Sequence, residues 1–169
     1  FSTAFSTANP NYVKGYPAGS ITKVPGSSTK LYSVNIYDIK GQIIQSLSAN
    51  HLDGYEAVEN TYTFTGKPKT VKHVHTSNES KANKNTIEEN YTYNYDHAER
   101  ITSINYTLGN NTITLATNTY DELGRLKSKS HHGSNANILT YDYNIRGWTK
   151  KIESPKFTQK LYYTDGNST

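Results

Sequence analysis

A short unit built on tyrosine, Tyr-x-x-x-Gly, recurs along this chain and limits the folds open to it more than any other feature. The copies are Tyr37-Asp38-Ile39-Lys40-Gly41, Tyr62-Thr63-Phe64-Thr65-Gly66, Tyr95-Asp96-His97-Ala98-Glu99, Tyr120-Asp121-Glu122-Leu123-Gly124 and Tyr143-Asn144-Ile145-Arg146-Gly147. Their first tyrosines are spaced by 25, 33, 25 and 23 residues, a period typical of stacked repeat architectures. A degenerate sixth copy is expected from Tyr162 to Gly166.

The residue types in the unit specify a chain reversal. A type I turn favours Asp or Asn at its first position and Gly at its fourth, which fits Asp38 with Gly41, Asp121 with Gly124, and Asn144 with Gly147. The Asp side chain accepts from a backbone N–H two residues on and so pre-forms the turn. Glycine then takes the left-handed conformation and closes a hairpin through a G1 bulge. The tyrosine just before is a stiff, amphipathic strand residue suited to a half-buried sheet. Arg100 and Arg125, one residue past the turn, are placed to lie over neighbouring rings. Two copies depart from the pattern: Thr63 replaces Asp, and Glu99 replaces Gly, which implies a different or strained turn there.

Around these units the sequence reads as strand after strand, eleven in all between Leu31 and Tyr163. Alternation is clearest in Tyr91-Thr92-Tyr93-Asn94-Tyr95, which sends three tyrosines to one face. Reversals are expected near 38–41, 65–67, 96–99, 121–124 and 144–147. No segment carries a helical apolar period. Residues 1–29, rich in Ser, Thr, Ala, Gly and Pro, read as an irregular leader, and residues 30–169 as the repeat domain. The fold class is all-β: antiparallel hairpin repeats in one continuous twisted sheet.

Tyr120-Asp121-Glu122-Leu123-Gly124-Arg125-Leu126 resembles the consensus of the RHS or YD-repeat proteins, large bacterial and related surface or secreted polypeptides, and Tyr143-Asn144-Ile145-Arg146-Gly147-Trp148 resembles a variant of the same repeat. The resemblance covers roughly residues 30–166. It implies hairpins wound in a spiral or hollow shell, often around a toxic cargo, and an extracellular or cell-surface location. The family's Asp-Pro-x-Gly boundary motif does not occur in these residues.

Composition narrows the function classes. With 15 tyrosines in 169 residues and few aliphatics, the chain suits an amphipathic sheet better than one with a large dry core. A sequence opening on Phe1 and lacking Met reads as a fragment of a longer array. No cysteine is available for disulfide or thiol chemistry. No apolar run reaches membrane-spanning length. A net charge of +4 carried by scattered lysines is too sparse for a nucleic-acid footprint.

Catalytic signatures are missing as well. His73 and His75, two apart on a strand, have no evident third metal ligand. No nucleophile elbow or phosphate-cradling loop occurs. The reading is therefore a non-catalytic scaffold with no cofactor and no metal, whose partners are neighbouring repeats or domains of the same polypeptide. Its structural residues are Tyr37, Asp38, Gly41, Tyr62, Gly66, Tyr95, Asp96, Arg100, Tyr120, Asp121, Gly124, Arg125, Tyr143, Asn144 and Gly147. The alternative is an adhesion or carbohydrate-binding module, with Trp148 as its stacking residue.

Overall fold

A computed structural model of the chain describes residues 15–78 and 85–163. Among these, twelve strands follow one another in sequence order in a single antiparallel sheet. They are β1 (Gly19–Lys23), β2 (Lys30–Tyr37), β3 (Ile43–Ala49), β4 (Tyr55–Tyr62), β5 (Pro68–Ser77), β6 (Asn85–Tyr95), β7 (Ile101–Leu108), β8 (Asn111–Tyr120), β9 (Leu126–His131), β10 (Ile138–Tyr143), β11 (Thr149–Glu153) and β12 (Thr158–Lys160). One turn of 3-10 helix, Asn135–Asn137, precedes β10.

The described residues fall into two compact units. The first holds those up to Thr92 together with Thr107–Asn111; the second holds Tyr93–Tyr106 and those from Thr112 onward. In the first, an apolar row crosses four strands, pairing Val34 with Leu47, Leu47 with Ala57, and Ala57 with Val74. In the second, Tyr141 faces Ile152 across β10 and β11. Very little is sealed from water. Tyr37, Leu47 and Ala116 are the buried hydrophobic residues among those described, and Thr76 the buried polar one. With so few of the described residues enclosed, the ladders and the side chains that bridge neighbouring strands carry most of the stability.

Eleven of the strands lie where the alternation and turn signals place them. The twelfth, β1, falls inside the stretch expected to be an irregular leader and pairs with β2 from Gly19↔Val34 to Lys23↔Lys30. Gly and Pro masked it in the sequence. Residues 1–14 of that stretch lie outside the described residues, as do 79–84 of the polar loop before β6. The second reversal also sits slightly earlier than expected, at 63–66, because Thr63 and Phe64 leave the strand and enter the turn. At each repeat whose register is given, the pairing slips by one residue just before the tyrosine, between Ile36/Tyr37, Thr61/Tyr62, Thr119/Tyr120 and Asp142/Tyr143. Each slip is a β-bulge, which bends the strand and increases its local twist.

Candidate functional site: the repeat turns and their stitches

Counting from each repeat tyrosine as position 0, the five turns share one hydrogen-bond pattern. The N–H at +1 donates to the carbonyl at +5 over 2.8–3.0 Å, and the N–H at +4 donates back to the carbonyl at +1 over 2.9–3.1 Å. This is a type I turn closed by a left-handed residue, the three-residue hairpin with a G1 bulge. Gly41, Gly66, Gly124 and Gly147 hold φ of 78°, 92°, 81° and 80°. Glu99 occupies the same place at φ 60°. The third copy therefore makes the same turn with a non-glycine residue in a strained region.

The +1 side chain does more than the sequence suggests. Oδ1 of Asp38 accepts from the N–H of both Lys40 and Gln42 at 2.8 Å. Asp96, Asp121 and Asn144 repeat this double acceptance at +3 and +5 within 2.8–3.0 Å. Thr63 manages only the second, its Oγ1 accepting from the N–H of Lys67 at 3.0 Å. The N–H and then the guanidinium of Arg100 hold the Asp96 carboxyl below its ordinary range, against desolvation. At Asp121 burial acts to raise the carboxyl, but the guanidinium and N–H of Arg125 and the N–H of Leu123 outweigh it and lower it.

Gly124 has a second constraint: a Cβ there would lie 3.1 Å from Nη1 of Arg100. Gly124→Val is expected to cost about 1–2 kcal/mol, since a β-branched residue would be forced to positive φ. Urea unfolding reads this directly, and an unchanged midpoint would contradict the turn geometry.

Neighbouring copies are stitched by the tyrosines themselves. The phenol of Tyr62 donates to the carbonyl of Ile43 at 2.7 Å, that of Tyr120 to Ile101 at 2.8 Å, and that of Tyr143 to Leu126 at 2.8 Å. Every acceptor is position +6, the first residue of the strand after an earlier turn. In three copies an Asn two residues before the tyrosine reaches the same oxygen: Asn35 to Pro17 at 3.5 Å, Asn60 to Ile43 at 3.0 Å and Asn118 to Ile101 at 2.9 Å. Burial raises the phenols of Tyr62, Tyr95 and Tyr143, helped by Asp38, by Tyr93 with Glu99, and by Asp121 respectively.

Position +5 covers the next ring. Arg100 and Arg125 are each pinned by Nε to their own turn's Asp Oδ2 at 2.7 Å. Their guanidinium carbons lie 4.4 Å over the Tyr120 ring and 4.6 Å over the Tyr143 ring. The sequence reading anticipated this contact. At the same position in the first copy, Gln42 instead donates to the carbonyl of Gly66 at 3.2 Å. Beside it Lys40 donates to the carbonyl of Phe64 at 2.7 Å, with its ammonium 4.6 Å over the Phe64 ring.

Trp148 also occupies position +5. Its ring is tilted at 54° and 5.0 Å from Tyr163, and the Arg146 guanidinium lies 5.4 Å from it. Tyr163 in turn donates to the carbonyl of Thr149, position +6 of the fifth copy, at 2.9 Å. Tyr163 rather than Tyr162 is thus the tyrosine of the sixth copy, whose expected bend lies outside the described residues.

Two further copies escaped the sequence reading. Gly15 (φ 92°), Tyr16 and Pro17 stand at +4, +5 and +6 of a unit ahead of the first recognised one. Tyr16 stacks on Tyr37 with centroids 5.1 Å apart, and Tyr37 donates to the carbonyl of Pro17 at 3.0 Å. Asn50–Gly54 forms the same turn without a tyrosine. Asn50 Oδ1 accepts from Leu52 and Gly54 at 3.1 and 2.9 Å, with Asp53 at φ 53°. The readable signal was Asn followed four residues later by Gly, hidden by the missing aromatic.

His73 and His75 flank Glu56, with Nε2 and Nδ1 at 2.9 and 2.6 Å from its two oxygens. Burial acts to raise the Glu56 carboxyl, yet hydrogen bonds from Asn50, His75 and His73 hold it below the usual range. Among the described residues no group of three or more His, Asp or Glu is arranged to hold a metal ion. No helix among them is long and apolar enough to cross a membrane. No protein-family model matches the chain, and a search of curated proteins finds no relative.

Proposed function

We propose that the chain is a non-catalytic scaffold module, a section of an RHS-like wall of hairpins that displays or encloses other parts of a larger secreted or cell-surface polypeptide. The observation that carries this reading is the recurrence of one stitch, a repeat tyrosine donating to the +6 carbonyl at Pro17, Ile43, Ile101, Leu126 and Thr149. A bond that recurs at these five steps makes the copies it joins depend on their neighbours, as in repeat arrays whose stability is a sum of local terms. Side chains at the turns are occupied with bending the backbone and covering rings, which leaves them no reacting group to orient. The partners of such a module are further copies and whatever domains the wall carries.

Excising one whole period tests the reading. Deleting residues 96–120 joins Tyr95 to Asp121 and removes 25 residues without changing the local motif. The shortened chain is expected to remain folded and β-rich with a lower melting temperature. Loss of cooperative unfolding or of β circular dichroism would overturn the additive wall and favour a domain whose parts are not interchangeable.

A further inference from the structure

Among the described residues of the first unit, the two most exposed large hydrophobic side chains both sit at turn tips. Phe64 is 91% and Ile39 73% exposed, each at position +2 of its copy. A type I turn tolerates most residues there, so the bend itself does not call for an apolar side chain. Strands β2 to β5 are neighbours in order. Their alternate reversals therefore open at the same end of the unit, two strands or about 10 Å apart. The two turns are tied together: Lys40 donates from Nζ to the Phe64 carbonyl at 2.7 Å, and Gln42 from Nε2 to the Gly66 carbonyl at 3.2 Å. At the opposite end, the reversals at 24–29 and 50–54 expose no large hydrophobic side chain.

The end that carries the apolar tips is also cationic. Residues 37–42 and 62–69 hold Lys40, Lys67 and Lys69 against one carboxylate, Asp38. Lys40 and Lys69 are exposed and Lys67 is half-buried. Lys40 keeps its ammonium 4.6 Å over the Phe64 ring, so ring and charge leave the protein side by side. The Leu123 tip of the second unit, 76% exposed, lacks this company: Glu122 stands beside it, and Arg125 is paired with Asp121.

We propose that this end of the first unit docks on a lipid bilayer surface that bears anionic headgroups. Ile39 and Phe64 enter the boundary between headgroups and acyl chains, and the lysines meet the anionic groups above it. Apolar side chains flanked by cations suit such a boundary, where buried apolar area and attraction to anionic lipid add. A protein partner fits less well, because the core of a protein interface is a contiguous, tightly packed apolar patch. Here the two side chains stand apart, with the polar backbone of both turns between them, and a fluid bilayer can close around each. A bilayer is also a plane, so Lys40, Lys67 and Lys69 reach it from whichever face of the sheet they leave, and they need not converge on one pocket. This docking is separate from the scaffold role and does not depend on it.

Co-sedimentation of the whole chain with vesicles tests the proposal, comparing pure phosphatidylcholine with phosphatidylcholine containing roughly 30% phosphatidylserine. The chain should bind the mixed vesicles at least about tenfold more tightly than the neutral ones. The double variant Ile39→Ser, Phe64→Ser should lose at least about tenfold in binding while keeping its β circular dichroism. Lys40→Gln with Lys69→Gln should lose about tenfold on the mixed vesicles. Two controls remove comparable apolar surface and charge elsewhere, Ile21→Ser with Leu123→Ser and Lys23→Gln with Lys30→Gln, and both should bind as the parent does. Phe64→Trp gives a positive reading: compared with the parent and its single Trp148, its emission should shift to the blue when mixed vesicles are added. The proposal is overturned by no binding to the mixed vesicles, equal binding to the neutral ones, equal losses in the controls, or an unshifted Phe64→Trp emission. A parent dimer that Ile39→Ser, Phe64→Ser dissolves would also overturn it, by making the tips a contact between copies.

Discussion

Gly54→Ala is expected to destabilise the chain by about 3 kcal/mol or more, the largest effect of any single methyl added here. A Cβ at Gly54 would fall 1.7 Å from the carbonyl oxygen of Thr76 and 2.6 Å from its carbon. Both are backbone atoms, so no side chain can swing aside. Thr76 is also the most enclosed residue described, at 2% exposure. Its carbonyl already accepts from Nδ2 of Asn50 at 2.9 Å, and Asn78 donates to Leu52 at 2.9 Å across the same loop. Relief would have to come from moving β5 away from the 50–54 turn, which breaks those bonds and disturbs the Glu56 oxygen that Asn50 also reaches at 3.0 Å. Equilibrium urea unfolding measures the loss, and a midpoint within error of the parent would contradict the close approach.

Tyr37→Ala ranks second, at about 3 kcal/mol or more. Tyr37 is one of three buried hydrophobic residues among those described, at 6% exposure, and it joins the earliest described copy to the next. Removing its ring strips the stack from Tyr16 and leaves the Pro17 carbonyl without its phenol donor. Since a domain is held by only about 5–15 kcal/mol in total, the N-terminal hairpin should detach before the rest. Hydrogen exchange would show β1 and β2 losing protection first. Tyr37→Phe keeps the ring and should cost only about 1 kcal/mol, which separates packing from the hydrogen bond. Equal effects of the two variants would show that the ring contributes nothing.

What could be read from the residues was the part governed by local chemistry. Asp or Asn at +1 and Gly at +4 specify a turn within five residues, so the bends at Asp38, Asp121 and Asn144 were legible, whereas Asp96 makes the same bend with Glu99 at +4. The placement of Arg100 and Arg125 over rings followed from that. The stitch was not legible, because its acceptor is a backbone carbonyl 14 to 20 residues away and backbone oxygens leave no mark in a sequence. Asn35, Asn60 and Asn118 carry no mark of their role in the sequence either, yet each shares that same oxygen with the tyrosine two residues on. The copy at Gly15–Pro17 was hidden for another reason. Its +5 place holds Tyr16 and its +6 place Pro17, so the surrounding composition read as loop. Trp148 was singled out as the stacking residue of a carbohydrate-binding module; the register of its copy puts it where arginine stands in two others.

The unfolding free energies of three phenol deletions test the central claim most directly. Tyr143→Phe removes the phenol that the Leu126 carbonyl accepts, whereas after Tyr120→Phe the Ile101 carbonyl still accepts from Asn118 at 2.9 Å. The account predicts a loss of about 1–2 kcal/mol for Tyr143→Phe, a smaller loss of about 0.5–1 kcal/mol for Tyr120→Phe, and no change for Tyr162→Phe. Equal stability of all three with the parent would show that the stitches do not hold the repeats together.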